Sequence, residues 1–76
     1  MNLLLVKGKD CPLCDEAKTM LISLENDGVK FEEKDIYSIR ELHTKYWDKI
    51  PVLLKNDHEL LWPFTLEEVK IFNSLN

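Results

Sequence analysis

Leu3-Leu4-Leu5-Val6 is a continuous apolar run with no polar alternation. That pattern predicts a central strand buried on both faces. After a polar turn, Lys7-Gly8-Lys9-Asp10, the period becomes helical. From Pro12 to about Asn26, Leu13, Ala17, Met20 and Leu24 fall on one face, and Cys14 and Leu21 continue the stripe. Asn26-Asp27-Gly28 stops the helix, with Gly28 supplying the residue just beyond its end. Val29 to Ile36 reads as a second strand that alternates at first and then turns charged. Such a strand belongs at a sheet edge, where Lys and Glu discourage further pairing. Strand, helix, strand implies a right-handed parallel crossover.

The second half continues in short elements. Ser38-Ile39-Arg40-Glu41 has the form of a capping box and opens a second, shorter helix, with Ile39, Leu42, His43 and Tyr46 as its buried stripe. Ile50 to Leu54 is a third strand with Pro51 at its head, where a missing ladder donor does least harm. Lys55-Asn56-Asp57-His58 is a turn, and Glu59-Leu60-Leu61 returns as a fourth strand, making an antiparallel hairpin with Val52–Leu54. Thr65-Leu66-Glu67-Glu68 is another capping box, and Leu66, Val69, Phe72 and Leu75 form one face of a last helix. Trp62 and Phe64, just before it, are read as core packing for that helix, with a protein-docking surface as the alternative. The order is β-α-β-α-β-β-α.

Composition bounds this picture. The 76 residues, 1–76, are expected to form a single domain. A hydrophobic share of 45% suits a folded globule, and a net charge of −4 argues against nucleic acid and anionic membrane surfaces as partners. No stretch has the form of a cleavable leader or reaches membrane-spanning length. The expected compartment is the cytoplasm, and the expected state a monomer. In the cytoplasm, a lone close pair of cysteines is more often catalytic or metal-binding than structural.

That pair is Cys11-Pro12-Leu13-Cys14, which holds the only 2 cysteines. It lies between the first strand and the first helix, where a Cys-x-x-Cys reads as a thiol–disulfide redox site. The first N–H groups of a helix lack intrahelical partners and the dipole is positive there, so a thiolate is stabilised. Pro12 suits the first helical position. Cys11 is therefore predicted at the N-cap, exposed and thiolate-forming. Cys14, one turn on and on the same side, is predicted to be more buried and to resolve the mixed disulfide. Lys7 and Lys9 lie close to Cys11 in sequence, where either favours a thiolate; the alternative is that both are solvated. Asp15 and Glu16 in the first turn partly offset the helix's help to the thiolate. His43 and His58 are read as a half-buried or surface histidine and a solvated turn residue. Their alternative role is to complete a metal site, since two cysteines are half of a zinc site. A metal or iron–sulfur module and a non-catalytic binding module are the competing readings of the chain.

At this point the chain resembles a glutaredoxin-like member of the thioredoxin fold, over nearly all of its length. The resemblance is carried by Cys11-Pro12-Leu13-Cys14, the strand Phe31-Glu32-Glu33-Lys34-Asp35-Ile36, Ile50-Pro51-Val52-Leu53, and the hairpin before the last helix. Cys-x-Leu-Cys with Leu61-Trp62-Pro63-Phe64 is similar to a branch of small bacterial and phage glutaredoxin-like proteins. The resemblance implies an α/β, four-stranded mixed sheet with helices on both faces. It implies that Pro51 follows a cis bond opposite the cysteines, disfavours metal at the two thiols, and turns the Ile50 backbone toward an extended peptide or glutathione. Pro12, Leu13, Ile50, Pro51 and Thr65 are the expected substrate-binding residues around catalytic Cys11 and Cys14. The implied activity is thiol–disulfide oxidoreduction of protein or low-molecular-weight disulfides, with no cofactor. Its expected potential is roughly −200 to −270 mV. Glutathione-using relatives usually carry Gly-Gly followed shortly by Asp after the fourth strand; here Leu61-Trp62-Pro63-Phe64-Thr65 stands instead, and Leu13 occupies a common Tyr position. The reductant is therefore left open between glutathione and a thioredoxin-reductase-type donor, with Thr65 and the last helix's N-terminus as a carboxylate site.

Overall fold

A computed structural model of the chain describes residues 3–75. Its elements are β1 (Leu3–Lys7), α1 (Pro12–Ser23), a 3-10 turn (Glu25–Asp27), β2 (Phe31–Asp35), α2 (Arg40–Tyr46), β3 (Val52–Lys55), β4 (His58–Leu61) and α3 (Leu66–Asn73). The sheet runs β2-β1-β3-β4. β1 pairs parallel with β2 and antiparallel with β3, and β3 pairs antiparallel with β4. The charged β2 is an edge strand, as its sequence predicts.

The apolar run of β1 is explained by what covers each face. Leu3 and Leu5, with Leu53 of β3, pack against Ala17 and Leu21 of α1, Leu24 just beyond it, and Val69 and Phe72 of α3. The alternate positions Leu4 and Val6, with Val52 and Leu54, pack against Ile36 and against Leu42 and Tyr46 of α2. Successive strand residues point to opposite faces, so a strand covered on both sides must be apolar throughout. Each fully buried Leu contributes roughly 1.5–3 kcal/mol. Helices thus cover both faces of a mixed sheet. Phe64 is buried in the first of these clusters and Trp62 packs beside it. The two rings meet edge to face with centroids 4.9 Å apart, so these aromatics are core packing, as read from the sequence.

Several boundaries and faces differ from expectation. Leu13 is not part of the buried stripe: it is 46% exposed while Cys14 is 2% exposed. Adjacent helical residues differ by about 100°, so turning Cys14 inward turns Leu13 out. The second helix starts later than Ser38, at Arg40, with Ile39 as a cap that makes no side-chain hydrogen bond. The Ser38 hydroxyl instead donates to the Asp35 carbonyl at 2.6 Å, closing the turn after β2. Ile39 and His43 are exposed, leaving Leu42 and Tyr46, four apart, as the inward face. β2 is confined to Phe31–Asp35. Val29 is buried before it, its N–H donating to the Leu24 carbonyl at 3.2 Å. Gly28 is left-handed at φ 89°, the conformation only glycine adopts freely. The hairpin turn is shorter than expected, since Lys55 pairs directly with His58 and Asn56 takes φ 55°, which asparagine tolerates.

Candidate active site at one end of the sheet

The strand register gathers distant segments at one end of the sheet. Lys7 pairs with Asp35, so β1 and β2 finish together, and the Ile36 N–H donates to the Lys7 carbonyl at 2.7 Å. Val6 pairs with Val52, and Val52 with Leu61. Pro51 and the Leu61–Thr65 segment therefore lie at the end where the chain leaves β1 for Cys11. Of the expected substrate-binding residues, Pro12 and Leu13 are exposed on α1, Ile50 is half-buried, Pro51 is buried, and Thr65 is exposed at the start of α3.

Gly8 and Asp10 shape the entry to α1. A Cβ at Gly8 would lie 2.6 Å from Ile50 Cδ1, closer than carbon atoms pack. The glycine lets the loop sit against the segment before Pro51. Asp10 is left-handed at φ 50° and swings the chain into the helix. Cys11 then stands at the N-cap in extended conformation, with Pro12 beginning the helix. Its Sγ accepts from the Cys14 N–H at 3.1 Å. The two sulfurs are joined as a disulfide, with Cα atoms 5.2 Å apart. Cys14 is buried, as the helical phase predicts, whereas Cys11, expected to be exposed, is half-buried. Asp15 lies in the first turn. The Ile50–Pro51 bond is cis, as the resemblance implied. The Trp62–Pro63 bond is cis as well, and no feature of the sequence singled it out.

The lysines near Cys11 differ in their surroundings. Lys9 is exposed. Lys7 Nζ lies 2.9 Å from Glu33 Oε1, and Lys18 Nζ lies 3.2 Å from Glu33 Oε2. The Lys7 ammonium is the largest cause holding the Glu33 carboxyl below its usual range, with Lys18 adding to it against partial burial. Glu33 was not legible as a site neighbour from the sequence, where it reads as one charge in an edge strand. Its register opposite Leu5 puts it on the α1 face.

At α3, the Thr65 hydroxyl accepts from the Glu68 N–H at 3.1 Å, and the Thr65 N–H donates to Glu68 Oε1 at 2.9 Å. The predicted capping box is formed, and Glu68 places its own carboxylate at that N-terminus. His43 stacks on the exposed Tyr37 with centroids 5.1 Å apart, and His58 is exposed on β4. Among the described residues no three or more His, Cys, Asp or Glu side chains are grouped to hold a metal ion. No helix among them is long and apolar enough to cross a membrane.

Comparison with known proteins gives a consistent result. The family model for the Glutaredoxin-like domain (DUF836) matches residues 2–75. The X-ray structure of Northeast Structural Genomics target protein XcR50 from X. campestris is similar at 30% identity and a TM-score of 0.77, covering 92% of each chain. The solution structure of the same target is similar at 30% identity and a TM-score of 0.76, covering 95% of this chain and 91% of that one. No curated protein matches the chain.

Proposed function

The chain belongs to the glutaredoxin-like domain family and has a thioredoxin-like fold, and from that premise we propose that it is a dithiol oxidoreductase that reduces protein or low-molecular-weight disulfides. The observation that carries the reading is the unequal pair at the start of α1. The half-buried Cys11 is the N-cap and receives the Cys14 N–H, while Cys14 is buried one turn behind. In the reduced state the same N–H and the helix dipole favour a Cys11 thiolate.

The Cys11 thiolate attacks one sulfur of a substrate disulfide and releases the other as a thiolate. Cys14, losing its proton to solvent, then attacks Cys11 Sγ. The Cys11–Cys14 bond forms, the mixed disulfide breaks, and the second substrate sulfur leaves as a thiolate that takes up a proton. Two electrons have passed from the protein to the substrate. A glutathione or thioredoxin-reductase-type donor restores the dithiol, and a reducing compartment such as the cytoplasm suits that cycle. Pro12, Leu13, Ile50, Pro51 and Thr65 line the approach in this reading. The protein works without a bound cofactor, as a monomer.

The test is a redox titration. The full chain is equilibrated across glutathione buffers, free thiols are trapped by alkylation, and species are read by mass. A two-electron Cys11–Cys14 couple with a midpoint of roughly −200 to −270 mV is expected. A glutathione adduct on Cys11 identifies glutathione as the donor. A pair that stays reduced throughout, or that carries stoichiometric metal, overturns the proposal.

A further inference from the structure

Three charged side chains flank α1 without entering the exchange chemistry. Lys7 ends β1, four residues before Cys11, and shares the α1 face with Leu3 and Leu5. Lys18 lies four residues after Cys14, and residues at that helical spacing are neighbours, with Cβ atoms roughly 5–6 Å apart. Glu33, on the neighbouring edge strand, holds both ammonium groups, one on each carboxylate oxygen, at 2.9 and 3.2 Å. All three remain partly exposed, at 37%, 29% and 43% for Lys7, Glu33 and Lys18.

We propose that Glu33 is a positioning residue that sets the charge felt by the Cys11–Cys14 couple, because it holds and half-neutralises two ammonium groups beside α1. This rests on the oxidoreductase reading. Other charges at this end are accounted for separately. Asp35, opposite Lys7, accepts from the Tyr37 N–H at 2.8 Å. Asp15 sits in the first turn of α1, and Lys9 and Asp10 are exposed before it. Glu33 is the group placed between the two lysines.

The consequence follows from the charge change in the exchange. Reduced protein and oxidised glutathione give the protein disulfide and two glutathione thiols; two electrons leave the protein sulfurs, and the protons of the dithiol pass to the glutathione sulfurs. A Cys11 thiolate carries a negative charge that the disulfide lacks. Removing the Glu33 charge leaves two uncompensated ammonium groups, which favour the thiolate and hence the reduced state. Removing the Lys18 charge does the opposite. By Coulomb's law, two unit charges taken as about 10 Å apart along a partly aqueous path change an equilibrium constant by about threefold. For a two-electron couple that is about 14 mV.

The experiment titrates wild type, Glu33→Gln and Lys18→Met, each as the full chain, against glutathione at low salt and at about 1 M KCl, where the Debye length falls to about 3 Å. Thermal melts confirm that each variant is folded. The expected result is opposite signs: Glu33→Gln moves the midpoint about threefold toward the reduced protein, Lys18→Met about threefold away, and both differences collapse at high salt. Shifts of the same sign, no shift in either variant, or shifts that survive high salt overturn the proposal. A wild type with no reversible couple overturns the functional reading and this inference with it; a normal wild-type couple with unmoved variants overturns only the inference.

Discussion

Tyr46 is where α2 grips the far edge of the sheet, and removing one oxygen atom tests how much that grip contributes. The Tyr46 hydroxyl donates to Glu59 Oε2 at 2.5 Å, and Lys45 Nζ lies 3.6 Å from the same oxygen. Tyr46 is 4% exposed, and the Glu59 side chain 40%. Tyr46→Phe keeps the buried ring and removes only the donor. A hydrogen bond to a charged group contributes roughly 1.5–3 kcal/mol. Because water reaches Glu59 once the hydroxyl is gone, the loss should sit at the lower end, about 1.5 kcal/mol. A domain of this size is stable by only about 4–11 kcal/mol. The melting temperature should therefore fall by about 6–12 °C, read by far-ultraviolet circular dichroism, with a matching drop in the urea midpoint at unchanged slope.

The pH dependence gives the same reasoning a sign. The Tyr46 hydroxyl, and after it Lys45, holds the Glu59 carboxyl below its usual range. A depressed folded-state pKa contributes stability that is present above the unfolded value, about 4.3, and is lost as pH falls through the folded one. Burial, and then the Glu59 carboxylate, push the Tyr46 hydroxyl up. Its contribution is full below about pH 10 and is lost as pH rises through the raised value. The gap between wild type and Tyr46→Phe should be widest near neutrality and should narrow at both extremes. A variant within about 0.3 kcal/mol of wild type at neutral pH refutes the assignment, since the bond is then worth less than the usual range. So does a gap that does not narrow anywhere as pH falls to acid unfolding, since ionised Glu59 is then not the acceptor.

Two further substitutions address the core and the last helix. Leu21 is fully buried in the larger core cluster, so Leu21→Ala should cost about 2–5 kcal/mol, a large share of the total, and lower the urea midpoint in proportion; a midpoint near wild type contradicts the packing described. Thr65→Ala removes the side chain that caps α3 and should cost about 1 kcal/mol, whereas Thr65→Ser should retain most of the stability in the same thermal melt; equal losses in both contradict the cap.

The parts of the fold readable from sequence are those that local rules determine. The Leu3–Val6 run had to be a strand covered twice, and Thr65 with Glu68 had to begin a helix. Gly28 was a stop signal, but it closes the 3-10 turn Glu25–Asp27, and α1 itself stops earlier than expected, at Ser23 with Leu24 as its cap. The short second helix was misread at its start because Ser38 can bond either forward to a helix or back to a turn. In the structure the turn after Asp35 takes its hydroxyl. Its inward face was overfilled for a related reason: a helix of only 7 residues offers barely two turns, and Leu42 and Tyr46 suffice to meet the sheet. Glu33 shows a different limit. Its partners lie 26 and 15 residues away in sequence, 33 − 7 and 33 − 18. No local pattern links them until the parallel register of β1 and β2 is known.

The same contrast separates the two longer helices where they begin. Both α1 and α3 begin just past the sheet end that carries Pro51, and both present unpaired N–H groups that favour negative charge. At α3 the need is met internally: Glu68 reaches back to the Thr65 N–H, and the Thr65 hydroxyl takes the Glu68 N–H. A substrate carboxylate directed to Thr65 meets a carboxylate already in place. At α1 the cap is sulfur. Cys11 receives only the Cys14 N–H, and Pro12 has no N–H to donate. On the proposed cycle, the anion that the start of α1 favours is the Cys11 thiolate, which exists only after the disulfide opens, while the Cys14 N–H that receives it is already in place. In that proposal the helix field favours the reduced state, and the net charge of the Lys7–Glu33–Lys18 cluster is inferred to act on the same state from the side.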